Sequence, residues 1–252
     1  VEITDLDGKP VTPKRYEISW DASAAQKGGF AHFMLKEIFE QPKAVADTLI
    51  GRLSDNNQIV LDELHMSAEE IRSLKKITVI ACGTAYHAGM VAKYAIEKWA
   101  KIPVDVEIAS EFRYRDPIID PSTLIIAISQ SGETMDTLMA VRHAKAAGGR
   151  VLAICNTNSS TIPRESDAVL YTHAGPEIAV ASTKALLTQI IAVYLIGLHL
   201  GQVNGSLKDS EVRDLYKELL ELPGKIEQIL ETVEPLRELT RTFAHNNTVL
   251  FL

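Results

Sequence analysis

The chain has 252 residues, 46% of them hydrophobic, with a formal net charge of −7 and a pI near 5.5. This is ample material for a packed core in one large domain or two small ones. The acidic balance, with no block of five like charges, argues against nucleic acid or an anionic membrane as the main partner. Residues 1–20 are polar and lack the apolar centre of a signal peptide. The most apolar long stretch, 185–200, is interrupted by Thr188, Gln189 and His199. It falls short of the ~20 residues of a membrane span and reads as a buried helix. Cys82 and Cys155 form no CxxC pair and read as reduced thiols of a cytoplasmic protein. Seven histidines lie singly, without metal-ligand spacing, so neither a metal nor a cofactor is expected.

In chain order, residues 1–19 alternate apolar and polar around Asp7-Gly8, the pattern of a hairpin. Residues 21–29 are small and polar and suit a linker. Because Val1 is not an initiator methionine, the chain reads as a piece of a longer protein. Residues 32–53 have helical spacing broken at Pro42. Ser67 and Glu70 form a capping box for a short helix over 67–74.

From Ile77 the pattern becomes that of an α/β protein. Strands are expected at 77–81, 104–108, 124–129, 151–155 and 169–171, with helices between most of them. Such alternation implies a five-stranded parallel sheet in a three-layer α/β/α sandwich, with extra helices at both ends. Ser182-Thr183 is placed as the cap of a helix running to about Leu200. Charged helices are expected at 208–222 and 225–244, separated by Pro223-Gly224, and a final strand at 248–252. That last segment resembles the start of the first strand and suggests the beginning of a second copy of the unit.

The working centre falls in the stretch that opens with the apolar strand 124–128. It turns through Ser129-Gln130-Ser131-Gly132 and starts a helix at Glu133-Thr134. A strand, a hydroxyl-rich turn and a helix N-terminus offer N–H groups, a favourable dipole and hydroxyl donors to an anion. No Lys or Arg lies in the turn, so it is not the P-loop pattern. Ligands of parallel sheets bind beyond the carboxyl ends of the strands, where Cys82-Gly83-Thr84 and Cys155-Asn156 also fall. A third stretch, Glu177-Ile-Ala-Val-Ala-Ser-Thr-Lys184, precedes the long helix.

Three motifs together carry a resemblance: Ala81-Cys-Gly-Thr84, Ser129 to Thr134, and Glu177 to Lys184, with Lys36-Glu-Ile-Phe-Glu-Gln-Pro42 upstream. Over roughly residues 27–252 the chain resembles the isomerase part of the glutamine–fructose-6-phosphate aminotransferases, the glucosamine-6-phosphate synthases. The Ser129–Thr134 motif is shared more widely among sugar-isomerase (SIS) domains, whereas the 36–42 and 177–184 motifs are more specific to the synthases. The resemblance implies that Ser129, Gln130, Ser131 and Thr134 bind the sugar phosphate, and that Gly83, Thr84, Val180, Ala181 and Ser182 lie about the sugar. Ala85 departs from the family, many members having serine there. The implied ligands are fructose 6-phosphate and glucosamine 6-phosphate, and the implied assembly is a homodimer.

The same resemblance divides the chain into four parts. Residues 1–29 would be the end of a glutaminase domain and its linker, and 30–75 the N-terminal helices of the isomerase part. Residues 76–205 would be the SIS domain, and 206–252 a helical connector with the first strand of a second SIS domain. It places the proton-transfer groups beyond Leu252, so no catalytic residue is expected within the chain. Glu177 is read as structural rather than as a base, Lys184 as a solvated or dipole-neutral lysine rather than an imine former, Cys82 as a packing residue, and Arg113 and Arg115 as surface or interface pairs. The other reading is a sugar-phosphate-sensing SIS module of a regulator, which would call for a basic recognition helix that residues 1–54 do not contain.

Overall fold

The computed structural model describes residues 3–12 and 26–250. Five strands, β1 (Lys76–Ala81), β2 (Val104–Ile108), β3 (Thr123–Ser129), β4 (Arg150–Cys155) and β5 (Ala168–Tyr171), form one sheet in the order β2-β1-β3-β4-β5. Every pairing is parallel. The central strand β3 is buried along its whole length, as its unbroken Leu-Ile-Ile-Ala-Ile run requires.

Helices cover both faces. Val79, Ala81, Leu124, Ile126, Ile128, Leu152 and Ile154 point into one core with α4 (Gly83–Ala100) and α8 (Lys184–Asn204). Ile80, Ile125, Ala127, Val151 and Ala153 point into the other with α5 (Ala109–Arg115), α6 (Met135–Ala146) and α7 (Thr161–Glu165). The alternation along each strand is the period of two that a strand between two helical layers demands. From β1 the chain moves outward to β2, and from β3 it moves the other way to β4. Right-handed crossovers then send α4 and α6 to opposite faces. The carboxyl ends of β1 and β3 therefore flank a topological switch point, where the loops diverge and leave a crevice.

Helix α8 is long and apolar enough to cross a membrane, but most of it is buried inside the fold. It lies against α4 so closely that a Cβ at Gly201 would stand 2.7 Å from the Trp99 carbonyl oxygen. The upstream helices α1 (Phe33–Phe39) and α2 (Gln41–Leu49) meet at Glu40, with Pro42 in the first turn of α2, where its missing N–H costs nothing. The Ser67–Glu70 capping box starts α3 (Ala68–Ser73) as expected.

Two expectations are corrected. The helix α9 (Asp209–Glu231) runs through Pro223-Gly224 instead of stopping there. Its apolar positions Val212, Leu215, Tyr216, Leu219, Leu222 and Ile226 keep helical spacing across the break and pack on the core, which offsets the proline penalty. The chain turns instead at Thr232, before α10 (Val233–Thr242). Thr248–Leu250 forms no strand, and Phe251 and Leu252 lie outside the described residues. At the other end, Thr4 and Pro10 bridge antiparallel across the Asp7-Gly8 turn, braced by the Asp5 carboxylate, which accepts from the N–H groups of Asp7 and Lys9. The remainder of that expected hairpin and most of the linker fall outside the described residues.

Candidate functional site

At the switch point lies a cavity of about 380 Å³. Gly83 and Thr84 from the start of α4, Ser129, Gln130, Ser131 and Thr134 from the β3–α6 loop, and Val180, Ala181 and Ser182 from the loop before α8 all line it. All nine residues nominated from the sequence therefore share one cavity. Cys82, Ala85, Ile128, Glu177, Ala179 and Gln189 complete its lining, so among the described residues the wall holds no lysine or arginine.

The β3–α6 loop is tightly determined. Ser129, buried at the strand end, accepts a hydrogen bond from the Gly132 N–H at 3.0 Å and lies 3.2 Å from the Thr134 hydroxyl. Ser131 accepts from the Glu133 N–H at 3.2 Å. The Gln130 carbonyl accepts from the N–H groups of Asn156 and Thr157, which ties the loop to the end of β4. Gly132 has φ +67°, and a Cβ there would stand 2.0 Å from the Ser160 hydroxyl and 2.8 Å from the Cys155 sulfur. Only glycine meets both the backbone conformation and the space. Glu133 turns away from the cavity, and its carboxylate accepts from the Thr161 N–H at 2.7 Å at the start of α7.

Three helix N-termini converge here, and they are treated differently. Cys82 and Thr134, the N-cap residues of α4 and α6, make no side-chain bond to the turns that follow. The start of α8 is neutralised from within. Glu177 accepts from the N–H groups of Thr183 at 2.9 Å and Ala185 at 3.2 Å, and from the hydroxyls of Ser182 at 3.1 Å and Thr183 at 3.4 Å. The cap expected from Ser182-Thr183 is thus supplied by a carboxylate seven residues upstream of the helix, since an anion satisfies N–H groups and dipole together. The starts of α4 and α6 carry no such side-chain cap.

The loop before α8 is held from the far end of the sequence. Glu37, 2% exposed, accepts from the Ile178 N–H at 2.6 Å and the Ala179 N–H at 3.2 Å. Lys184 is not solvated as expected. Its ammonium is buried and meets Glu40 at 2.6 Å, and Glu40 also meets Lys36 at 3.4 Å. Asn156 holds the preceding segment, donating to the Gly175 carbonyl and accepting from Thr172 and the Ala174 N–H. Local patterning gives Glu37, Glu40 and Asn156 no such role; the signals available were the 36–42 motif, which holds both glutamates, and the place of Asn156 at a strand end.

Cys82 is half-buried at the cavity wall, while Cys155 is buried behind the loop, where desolvation pushes its thiol pKa up. Arg115 forms a two-point pair with Glu107, and Arg113 stacks on Tyr114, so neither reaches the cavity wall.

A site of hydroxyls and helix N-termini at the switch point of a parallel sheet finds its match among known families. The SIS domain model covers residues 70–198. The chain belongs to the SIS domain family. The chain is 61% identical, over all 252 residues, to glutamine–fructose-6-phosphate aminotransferase (isomerizing) of Streptomyces coelicolor, and it spans 41% of that relative's length. It is 58% identical to the corresponding enzyme of Mycolicibacterium paratuberculosis, with 99% of this chain and 40% of the relative covered. Among solved structures, the C-terminal domain of glucosamine-fructose-6-phosphate aminotransferase from Francisella tularensis matches with a TM-score of 0.81 and 42% identity. That match covers 87% of this chain and 61% of that one. The SIS fold thus accounts for the sheet, the two helical layers and the place of the cavity.

Proposed function

We propose that the chain is the first SIS half of the isomerase part of a glutamine–fructose-6-phosphate aminotransferase, and that its cavity binds a hexose 6-phosphate. The observation that carries this is the convergence of the nine named residues, from three separate loops, on one cavity with two uncapped helix N-termini and no cationic side chain. Such a site suits a phosphate with a neutral polyhydroxylated body.

In this reading the phosphate sits on the Ser129–Thr134 turn. The Gly132 N–H donates to Ser129, and with Ser129 as the donor of its 3.2 Å contact with Thr134, the Thr134 hydroxyl donates to a phosphate oxygen. Each link polarises the next. Gln130, Ser131 and the first N–H groups of α6 complete the cradle. Charge-assisted bonds of about 1.5–3 kcal/mol each hold the anion without a lysine. Gly83, Thr84, Val180, Ala181 and Ser182 then lie about the sugar.

The whole protein would use the amide nitrogen of glutamine to convert fructose 6-phosphate to glucosamine 6-phosphate, with glutamate as the other product. It would work in the cytoplasm as a homodimer. Residues 1–29 would end its glutaminase domain and linker, 30–75 would form the first helices of the isomerase part, 76–205 its first SIS domain, and 206–252 the connector to a second. Moving a proton between adjacent sugar carbons requires a free base. Glu177 is the one carboxylate on the cavity wall and is occupied by four donors. The base would therefore come from the second SIS half, and residues 1–252 alone would bind substrate without turning it over.

Calorimetric titration with fructose 6-phosphate is the test. Ser131→Ala and Thr134→Ala should each weaken binding by about one hydrogen bond to a charged group, roughly 1.5–3 kcal/mol. Ser54→Ala, in an exposed turn away from the cavity, should leave affinity unchanged. Equal affinities for all three variants would place the phosphate elsewhere.

A further inference from the structure

Gln189 is a polar residue with no assignment, on the inner side of the helix that closes the cavity. It is the sixth residue of α8, 2% exposed, and it lines the cavity. Its amide oxygen is buried with no hydrogen-bond partner. Three other side-chain atoms share that condition among the described residues, on His143, Arg150 and Asn204, and none of those residues lines the cavity. Other buried polar groups near the site are satisfied: Glu37 by two N–H groups, Asn156 by three partners, Lys184 by Glu40, and Thr188 by the Ala185 carbonyl.

Folded proteins rarely leave a buried amide unpaired, and here the alternative is close at hand. Leu186, Leu187, Ile190 and Ile191 surround position 189 in a helix that is apolar on nearly every side. A leucine or methionine would fill the same volume without an orphaned oxygen. A partner that arrives with the ligand explains why an amide stands there.

We infer that Gln189 binds a hydroxyl of the sugar, and so reads the polyol part of the ligand rather than its phosphate; this rests on the hexose 6-phosphate reading above. The chemistry favours a hydroxyl over the phosphate. An amide presents both acceptor and donors, a hydroxyl answers with both, and a phosphate oxygen only accepts. The phosphate also has its own donors on the β3–α6 turn, whereas Gln189 belongs to α8, next to the loop that carries Val180, Ala181 and Ser182. Neutrality is the second point. A carboxylate at 189 would repel an anionic ligand and add a charge beside the Glu177 cap. A site with a buried hydrogen-bonding group discriminates strongly against ligands that lack the matching hydroxyl, because the group is then left unpaired.

Gln189→Met in this chain, titrated separately with fructose 6-phosphate and with inorganic phosphate and melted without ligand, tests the inference. The fructose 6-phosphate affinity should fall roughly tenfold, the equivalent of one hydrogen bond. Inorganic phosphate should bind the variant as it binds the parent, and the unliganded melting temperature should stay level or rise. Unchanged fructose 6-phosphate affinity would overturn the inference, as would a lower melting temperature accompanied by equal loss of both ligands, which marks a packing role. Should the methionine variant fail to fold, Gln189→Leu also removes the amide without adding a charge and is expected to show the same selective loss; retained fructose 6-phosphate affinity there overturns the inference equally. If the parent chain binds neither ligand, the sugar-phosphate reading itself fails, and that outcome is distinct from a parent that binds and a variant that binds equally well.

Discussion

Replacing Glu37 by alanine should release the loop that forms the α8 side of the cavity. Its buried carboxylate holds the N–H groups of Ile178 at 2.6 Å and Ala179 at 3.2 Å, immediately before Val180 and Ala181. Two hydrogen bonds to a charged group contribute about 3–6 kcal/mol together. The lower end applies, because the variant also escapes the cost of burying a charge and water from the cavity can reach the freed N–H groups. A loss of about 3 kcal/mol lowers the melting temperature of a chain this size by roughly 6–12 °C. Glu37→Gln should do much less. Oε1 receives both of the bonds quoted, and a glutamine carbonyl in that place keeps them as neutral bonds. Thermal melts of the three proteins, with titrations of fructose 6-phosphate and inorganic phosphate, give the readout. The expected order is parent, then glutamine, then alanine in stability, with sugar-phosphate affinity falling in the same order and inorganic phosphate little affected. An alanine variant that melts within about 2 °C of the parent, with its affinity intact, would refute the idea that α1 holds this wall.

Two further outcomes follow from the titrating groups. Burial lowers the pKa of both His173 and His199 from 6.5. The unfolded chain then takes up protons first, and stability present at neutral pH is lost as pH falls through about 6.5; melts between pH 7.5 and 5.5 should show this decline, shallower in His199→Gln, and a flat profile would count against it. A maleimide should label Cys82 well before Cys155, whose thiol is buried and raised in pKa, and fructose 6-phosphate should slow the labelling of Cys82 because it lines the cavity; labelling indifferent to the sugar would place the ligand elsewhere.

Much of this molecule was legible in one sequence because its signals were local. The β3 run is apolar throughout, so burial on both faces could be read directly. The Ser129–Thr134 turn announces itself by hydroxyls and a glycine at a strand end. The two failures along the chain come from local signals that lost to tertiary ones. Pro223-Gly224 is a strong breaker in isolation, yet Leu222 and Ile226 on either side of it both pack on the core, and that burial keeps α9 continuous. The 248–252 run has strand composition, but a strand needs a partner to hydrogen-bond with, and Thr248–Leu250 has none within this fold.

What stayed hidden was the support behind the site, since it is made of pairs far apart in sequence. Glu177 before a helix suggested a structural role, but not that four donors would saturate it. Lys184 looked like a surface lysine because its partner, Glu40, lies 144 residues away. The same separation explains why two stretches stood out together. Residues 36–42 form no part of the cavity wall, yet Glu37 and Glu40 from that stretch hold Ile178, Ala179 and Lys184 from the other. A change in either stretch alone leaves a buried charge without a partner or frees two backbone N–H groups of the loop, and the unpaired charge is the costlier. The α1 motif and the loop before α8 are therefore one structural unit written in two places. This gives the wall beside the proposed sugar site a support on a helix, while the Ser129–Thr134 turn is fixed independently by its own hydroxyls and by β4.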